Sequence, residues 1–327
     1  MVFPLRRTEW LQLSDGKKAQ KNVSEIVMVV NNTFSCILCG CSKYKLLQKG
    51  VRDSPDIEVV KCNKCNHIQL YPLPELEEER EYYNKDMHTK SLIPEIDENV
   101  IERDMPWIEQ QIERYGPYIF RSKMLLEIGS GYGIFLAEIK KRWSKNGEGI
   151  EVSEEKRLFA EKYMNEKPHS LNLLTDEIPA EMRHKYDLII SFHVLEHIIK
   201  PNLFLEKVVE LLCPGGFVVY EVPNVGERFL EDCKEYGQFK WLRAHVSYFS
   251  KETLNELLGR NGFSEIKING VQNYSIENHI NWMRTRKPSL GTVQIRHPDN
   301  LEWINRIYKE ILEKGMEGDA LMAVAKK

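Results

Sequence analysis

No apolar run in this sequence approaches the roughly 18–20 residues that a membrane span needs, so no transmembrane segment is expected. The opening stretch, MVFPLRRTEWLQLSDGKK, has two arginines but no apolar core behind them, so no secretory signal is expected and a cytoplasmic location is. Basic charge is not in excess. Lys and Arg number 46 against 49 Asp and Glu, a net charge of −3, which leaves no global field to hold a nucleic acid. Compositional bias is also missing: 42% hydrophobic, 29% charged and 10% aromatic residues exclude a disordered or collagen-like chain. An even, dispersed set of cysteines is lacking too. Seven, with no export signal, argue against a disulfide framework and for reduced thiols or metal ligands. At 327 residues, one large domain with a smaller one is the expected organisation.

What is present begins with those cysteines, five of which fall between positions 36 and 65. Cys36 and Cys39 form one C-x-x-C pair and Cys62 and Cys65 another, separated by 22 residues, room for a hairpin. Each pair can point two thiolates at one ion, and four make the closed tetrahedral set of a structural zinc. Redox-active thiol pairs are the competing reading. Cys41 and His67 lie close by but are surplus to a four-ligand site. The expected organisation is therefore an N-terminal extension over 1–33, a zinc-binding module over 34–90 and a helical linker over 91–118. Within the module, Pro74 suits a first helical position and the following glutamates read as a solvated face. In the linker, Ile96, Val100, Ile101, Trp107, Ile108 and Ile112 recur at helical spacing, with an interruption at Pro106.

From residue 119 the pattern alternates. Short apolar runs at 124–128, 149–152, 186–191 and 215–222, with a weaker one near 168–172, read as buried strands. Stretches of helical periodicity separate them, which implies a parallel sheet covered on both faces, with a ligand at the carboxyl ends of its strands. At the first such end lies LLEIGSGYGIFL. Gly129, Gly131 and Gly133 let backbone approach a ligand closely, but the spacing is not the G-x-G-x-x-G of dinucleotide sites, because Ile134 occupies its sixth place. Glu127 would repel a pyrophosphate and suits an ammonium group. Glu151, at the end of the next strand, suits a ribose diol. Ribose and ammonium without diphosphate describe S-adenosylmethionine.

These features resemble the class I S-adenosylmethionine-dependent methyltransferases over residues 119–327. The resemblance is carried by E-x-G-x-G-x-G at 127–133, GIEVSEE, YDLIISFHVLEHI, LLCPGGFVVYEVPN and HVSYFSKETLNELLGRNGF. It implies an α/β fold: a Rossmann-like seven-stranded methyltransferase sheet with helices on both faces, its last strand antiparallel and supplied by GDALMAVAKK. It further implies that Glu127, Gly129, Gly131 and Gly133 hold the methionine part and Glu151 the ribose. Ser130, Tyr132, Val152, Leu173, Ser191 and His193 would complete the donor site. With the preceding zinc module and linker, the chain resembles sugar methyltransferases acting on nucleotide-linked sugars of polysaccharide or antibiotic pathways. In those a Tyr-x-Glu-His stretch carries base chemistry; here Leu242, Ala244 and His245 stand there, so only the histidine is kept and O- and C-methylation both stay open.

His193, Glu196 and His197 would share one face if the chain turns helical after its strand. With His245 they are the expected catalytic residues, and three roles compete for them. A histidine can take the proton of a hydroxyl acceptor. The set can hold a divalent ion, an arrangement similar to metal-dependent small-RNA 2′-O-methyltransferases, which place a carboxylate where His193 stands. Or the Glu and His are satisfied structurally. An insertion over about 271–318 offers Gln272, Tyr274 and His279 which, with Asn224 and Tyr248, are the expected substrate-binding residues. The expected function is methyl transfer to a small polar acceptor, a hydroxyl or carbon of a sugar. The partner is then a small molecule, with no membrane or nucleic acid, and the cofactors are S-adenosylmethionine and structural zinc. The alternatives are a metal-assisted RNA 2′-O-methyltransferase and a non-catalytic zinc-ribbon adaptor.

Overall fold

The structure, a computed structural model, describes residues 34–85, 87, 99–288 and 302–327. The expected extension over 1–33, residues 91–98 of the expected linker and residues 289–301 of the expected insertion lie outside the described residues.

The cysteine-bearing stretch forms three antiparallel strands, β1 (Tyr44–Gln48), β2 (Glu58–Cys62) and β3 (Ile68–Tyr71), followed by helix α1 (Leu76–Asn84). Helix α1 begins two residues beyond Pro74, with Glu77, Glu78 and Glu79 in its first turn, where the helix dipole favours acidic residues. Next comes α2 (Asn99–Arg121), a single helix that runs through Pro106 and Pro117. The interruption expected at Pro106 does not occur. Ile112, Tyr115 and Ile119 on one face of α2 are buried against the main sheet, and that burial offsets the hydrogen bonds the prolines remove.

The main sheet is built from β4 (Leu125–Ile128), β5 (Gly147–Ile150), β6 (Tyr186–Phe192), β7 (Leu212–Pro223), β9 (Ser264–Val271) and β10 (Ala320–Lys326). Its order is β5-β4-β6-β7-β10-β9; the first four run parallel, and β10 lies antiparallel to both neighbours. This is the α/β sheet with an antiparallel last strand that the resemblance implies. The seventh position, beyond β5, is held by one bridge between Ile150 and His169. Helices α3 (Ile134–Trp143), α4 (Glu154–Phe159) and α5 (Pro201–Leu211) alternate with the parallel strands. Short helices α6 (Arg228–Asp232) and α7 (Lys234–Lys240) follow β7, and α8 (Lys251–Arg260) precedes β9. Local signals set these boundaries: Ser153 caps α4, Pro201 opens α5, and Ser250 forms a capping box with Thr253 at α8. Helices α9 (Ile276–Thr285) and α10 (Glu302–Gly315) lie in the insertion between β9 and β10.

The cysteine-bearing sheet does not end with β3. A two-residue strand from the far side of the sequence, β8 (Ser247–Tyr248), pairs with β3 and completes its order as β1-β2-β3-β8. Cys36, Leu38, Val60 and Cys62 share one apolar core with Leu126, Ile128 and Phe249. Side chains of the main domain also bind loop backbone ahead of β1: Asn202 Nδ2 donates to the Ile37 carbonyl and Arg260 Nη1 to that of Leu38, each at 3.2 Å. Among the described residues, no helix is long and apolar enough to cross a membrane.

Candidate functional site

The parallel strands end at one edge, and the loops leaving them surround a cavity of about 330 Å³. Its first wall is the turn after β4. Gly129 has φ +78°, and a Cβ there would sit 2.4 Å from Val194 Cγ2; Gly131 has φ +54° with open space where its Cβ would be. Both positions favour glycine for conformation, and Gly129 for space as well. Glu151, just past β5, fixes this turn. Its Oε2 accepts from the Gly131 N–H at 2.9 Å and its Oε1 from the Ser153 N–H at 2.8 Å. The strand expected at 149–152 ends earlier, so Glu151 stands at the point where the chain leaves the sheet.

Three buried polar atoms beneath this turn have no hydrogen-bond partner: Glu127 Oε2, Ser130 Oγ and Ser191 Oγ. Glu127 and Ser191 lie on adjacent strands, since Glu127 pairs with Ile190. Burial first, then the nearby Glu151 and Glu166, push the Glu127 carboxyl up to about 8. A buried carboxylate with an unpartnered oxygen at the root of the glycine turn fits a ligand bearing an ammonium group and does not fit a diphosphate. Further along, Ile150, Leu171, Leu173 and Phe204 give the cavity an apolar wall, of the kind a purine ring packs on. The residues present therefore fit S-adenosylmethionine: ammonium at Glu127 and the glycine turn, ribose at Glu151, adenine on the apolar wall.

The opposite wall is not one the sequence pattern pointed to. It comes from α1, whose Leu76, Glu79, Arg80 and Tyr83 line the cavity, so its glutamates are not all a solvated face. Glu79 is buried, and burial outweighs the adjacent Arg243 to raise its carboxyl to about 7. Arg243 reaches Glu78 at 2.7 Å and Glu79 at 2.8 Å, tying α1 to the segment before β8. The missed signal was the i, i+3, i+4, i+7 spacing of Leu76, Glu79, Arg80 and Tyr83.

Between these walls stand the histidines. The chain after β6 is not helical at His193, which has φ +53°, and forms a 3₁₀ turn only over Leu195–His197. His193 lies 3.4 Å from both Glu196 and Glu221. Burial would lower it, but the two carboxylates outweigh that and raise it to about 10, so a proton-accepting role at neutral pH does not fit this residue. Burial would likewise raise Glu221, but His193, Arg114 and Tyr115 hold it at about 2. Arg114 and Tyr115, both on α2, are therefore part of the site's charge balance. His197 Nδ1 lies 2.7 Å from the Ala244 carbonyl and 2.9 Å from the Tyr83 hydroxyl, and burial lowers its pKa. Ligand atoms of Glu196, His197 and His245 lie within 4.8 Å of one another.

Of the expected site residues, Gly129, Gly131, Glu151, Val152, Leu173, His193 and His197 line the cavity. Gly133 turns into α3 at φ +74°, and Tyr132 packs on Phe159. The expected substrate-binding residues are not brought there. Asn224 binds the Met316 and Gly318 carbonyls, and the Tyr248 hydroxyl binds the Leu242 backbone. Gln272, Tyr274 and His279 lie around a separate small crevice. There Gln272 donates to the Tyr274 carbonyl and His279 meets the Tyr308 hydroxyl. They close the insertion onto the sheet instead of facing the cavity.

At the other end of the chain's N-terminal sheet, Cys36, Cys39, Cys62 and Cys65 converge with all four Sγ atoms within 4.8 Å of one another. Cys36 and Cys65 are 3.6 Å apart and Cys39 and Cys62 3.5 Å, close to the ~3.8 Å edge of a tetrahedron with Zn–S of about 2.3 Å. The Lys64 N–H points at Cys62 Sγ at 3.4 Å. The Cys41 thiol meets the Lys43 backbone, and His67, whose pKa burial pulls down to about 3, meets Ser247; neither joins the four.

A family model described as a methyltransferase domain matches residues 101–268, just over half of the chain. A ubiquinone biosynthesis O-methyltransferase of Shewanella pealeana is 28% identical over 105 residues, 31% of this chain and 44% of that protein. The namesake enzyme of a Chelativorans species is 32% identical over 107 residues, 32% of this chain and 42% of its own. The chain thus spans less than half the length of these curated relatives. Among solved structures, a SAM-dependent methyltransferase from Archaeoglobus fulgidus matches at 19% identity and a TM-score of 0.47, covering 71% of this chain and all of that one. Haemonchus contortus phosphoethanolamine N-methyltransferase 2 matches at 16% and 0.48, covering 80% and 62%.

Proposed function

We propose a function from one premise: the chain belongs to the methyltransferase-domain family. It is an S-adenosylmethionine-dependent O-methyltransferase, and its acceptor is a hydroxyl of a small polar molecule, a sugar or nucleotide-linked sugar. The observation that carries the reading is the continuity of one cavity from the glycine turn and Glu151 to Tyr83, His193 and His197.

When bound, S-adenosylmethionine supplies a methyl group on positively charged sulfur, already activated toward an oxygen nucleophile. The chain's own contribution is then positioning and proton removal. Glu127 and the glycine turn hold the charged end of the donor, and Glu151 its ribose. Tyr83, Glu79 and Arg80 present hydrogen-bonding groups to the acceptor. The hydroxyl proton leaves toward the cluster of Glu196, His197 and His245, while His193, held between two carboxylates, orients the acceptor as a cation. Two considerations favour a hydroxyl acceptor: the curated relatives are named O-methyltransferases, and the acceptor wall is rich in polar groups. The four cysteines bind a structural zinc that holds the N-terminal sheet beneath α1.

Calorimetry with S-adenosylmethionine tests the donor claim, with one site per chain expected. Transfer of isotope-labelled methyl to a panel of nucleotide sugars tests the acceptor claim. Donor binding without labelling of any hydroxylated sugar would remove the sugar assignment and keep the methyltransferase one.

A further inference from the structure

We infer that the chain pairs with a second copy of itself through the outer side of α10, the two helices lying antiparallel about a two-fold axis at Ile307. The inference concerns assembly and does not depend on the proposed function.

Helix α10 is held to the fold by one side. Asn305 and Leu312 are buried, Tyr308 meets His279 of α9, and Lys309 Nζ donates to the Asn273 carbonyl at 2.9 Å. Another side carries Trp303, Ile307 and Ile311 at i, i+4 and i+8, which makes one apolar ridge. Its three members are 58%, 45% and 63% exposed. Helix α9 adds Ile280 and Met283, exposed as well. Scattered single apolar side chains at a surface need no explanation, but a ridge of them marks a place of contact.

The neighbouring ridge says what covers it. Glu302, Arg306, Glu310 and Lys314 follow the same four-residue step beside the apolar row, and all four are exposed. Acid and base alternate along it. Turned end for end, a second copy sets Glu302 opposite the partner's Lys314 and Arg306 opposite the partner's Glu310. The same turn lays Trp303 on the partner's Ile311 and brings the two Ile307 side chains together at the axis. A parallel pairing would set like charge on like, so the pattern selects the isologous, antiparallel contact. Two acids and two bases do not suit an anionic membrane surface, which takes a basic polar face. The 14 residues of α10 span about 21 Å, less than a standard interface of ~800 Å² per partner needs, so the pair is expected to be reversible.

Sedimentation equilibrium on the full chain tests this. A concentration-dependent rise toward twice the mass of one chain is expected by ~100 μM. Ile307→Glu, at the axis, should weaken association at least ~100-fold. Its melting temperature and zinc content should hold, because Ile307 is exposed. A variant counts only if both hold; should they not, Ile311→Glu carries the comparison. Arg306→Glu and Glu310→Arg each face like charges across the pair and should each self-associate about 10-fold more weakly. An equimolar mixture of those two restores opposite charges at both contacts and should associate as the native chain does. Within each variant the 306 and 310 side chains stay like-charged, so recovery in the mixture reports on the second copy alone. A monomer at that concentration, or a dimer that the folded Ile307→Glu leaves intact, overturns the interface. Loss in the single variants without recovery in the mixture overturns the antiparallel pairing. A monomer that floats with vesicles of phosphatidylcholine and phosphatidylserine would give the ridge to a membrane instead.

Discussion

The two ends of the cavity are built in opposite ways. The donor end comes from a near-contiguous stretch: Glu127, the glycine turn and Glu151 lie within 25 residues, joined by backbone hydrogen bonds such as those from the Gly129 and Ser130 N–H groups to the Ile150 carbonyl. The acceptor end is assembled from three distant stretches, around Tyr83, around His193–His197 and around Ala244, tied together by side chains. A site made by local backbone geometry demands particular residues at fixed spacing. A site made by tertiary assembly leaves no such mark, and it depends on the N-terminal sheet that holds α1 in place.

The largest expected effect tests that dependence. Replacing Cys62 and Cys65 with serine should remove the zinc. Because β3 pairs with β8 and Cys36 and Cys62 sit in the main core, one common melting transition should fall by at least ~10 °C, about 5 kcal/mol or more for a structural zinc. Separate melting of the N-terminal sheet, with the main transition unmoved, would break the picture of a shared acceptor end. Next, Gly129→Val places a Cβ against Val194 in a left-handed turn. Donor affinity should drop by ~100-fold or more with zinc content unchanged, as equilibrium dialysis can report.

Glu127 sharpens the donor end further. Its carboxyl stands near 8 without ligand, so at pH 6.5 it is mostly protonated and must release that proton to meet an ammonium. Donor affinity should therefore rise with pH toward 8, by at most tenfold per unit, and calorimetry in buffers of different ionisation enthalpy should detect proton release. Glu127→Gln should abolish the release and weaken binding ~10-fold. The same raised carboxyl means the ligand-free fold binds this proton more tightly than the unfolded chain, so it lowers stability as pH rises from about 4.5 to 8; the glutamine variant should lose that slope. The smallest effect expected is at the acceptor end: Tyr83→Phe should raise the acceptor KM several-fold and leave donor affinity alone. A shift in donor affinity instead would erase the division between the two ends.

The sequence made the glycine turn and the parallel strands of the sheet readable because both rest on local rules. Apolar runs buried on both faces mark β4, β6 and β7, and left-handed turns mark Gly129 and Gly131. What it hid rests on balances among distant groups. Pro106 reads as a break, yet α2 continues because Ile112, Tyr115 and Ile119 are buried beyond it. The glutamates of α1 read as solvated, yet Arg243 draws Glu79 into the interior. A base role is one of those the sequence leaves open for His193, yet Glu221, nearly thirty residues away, helps hold it protonated. The polar residues of the insertion read as a sugar site, yet they satisfy one another and the backbone. The four cysteines were legible as a group because two C-x-x-C turns at that spacing can bring four thiols together, as they do here.

The account turns on where the methyl donor sits, and a crystal structure of the full chain with S-adenosylhomocysteine measures that directly. The predicted result has its amino group within hydrogen-bond reach of the glycine turn above Glu127, its ribose hydroxyls on Glu151 and its adenine between Leu171, Leu173 and Phe204, with the sulfur facing Tyr83 and the histidines. A ligand bound elsewhere, or a dinucleotide occupying the glycine turn in its place, would contradict it.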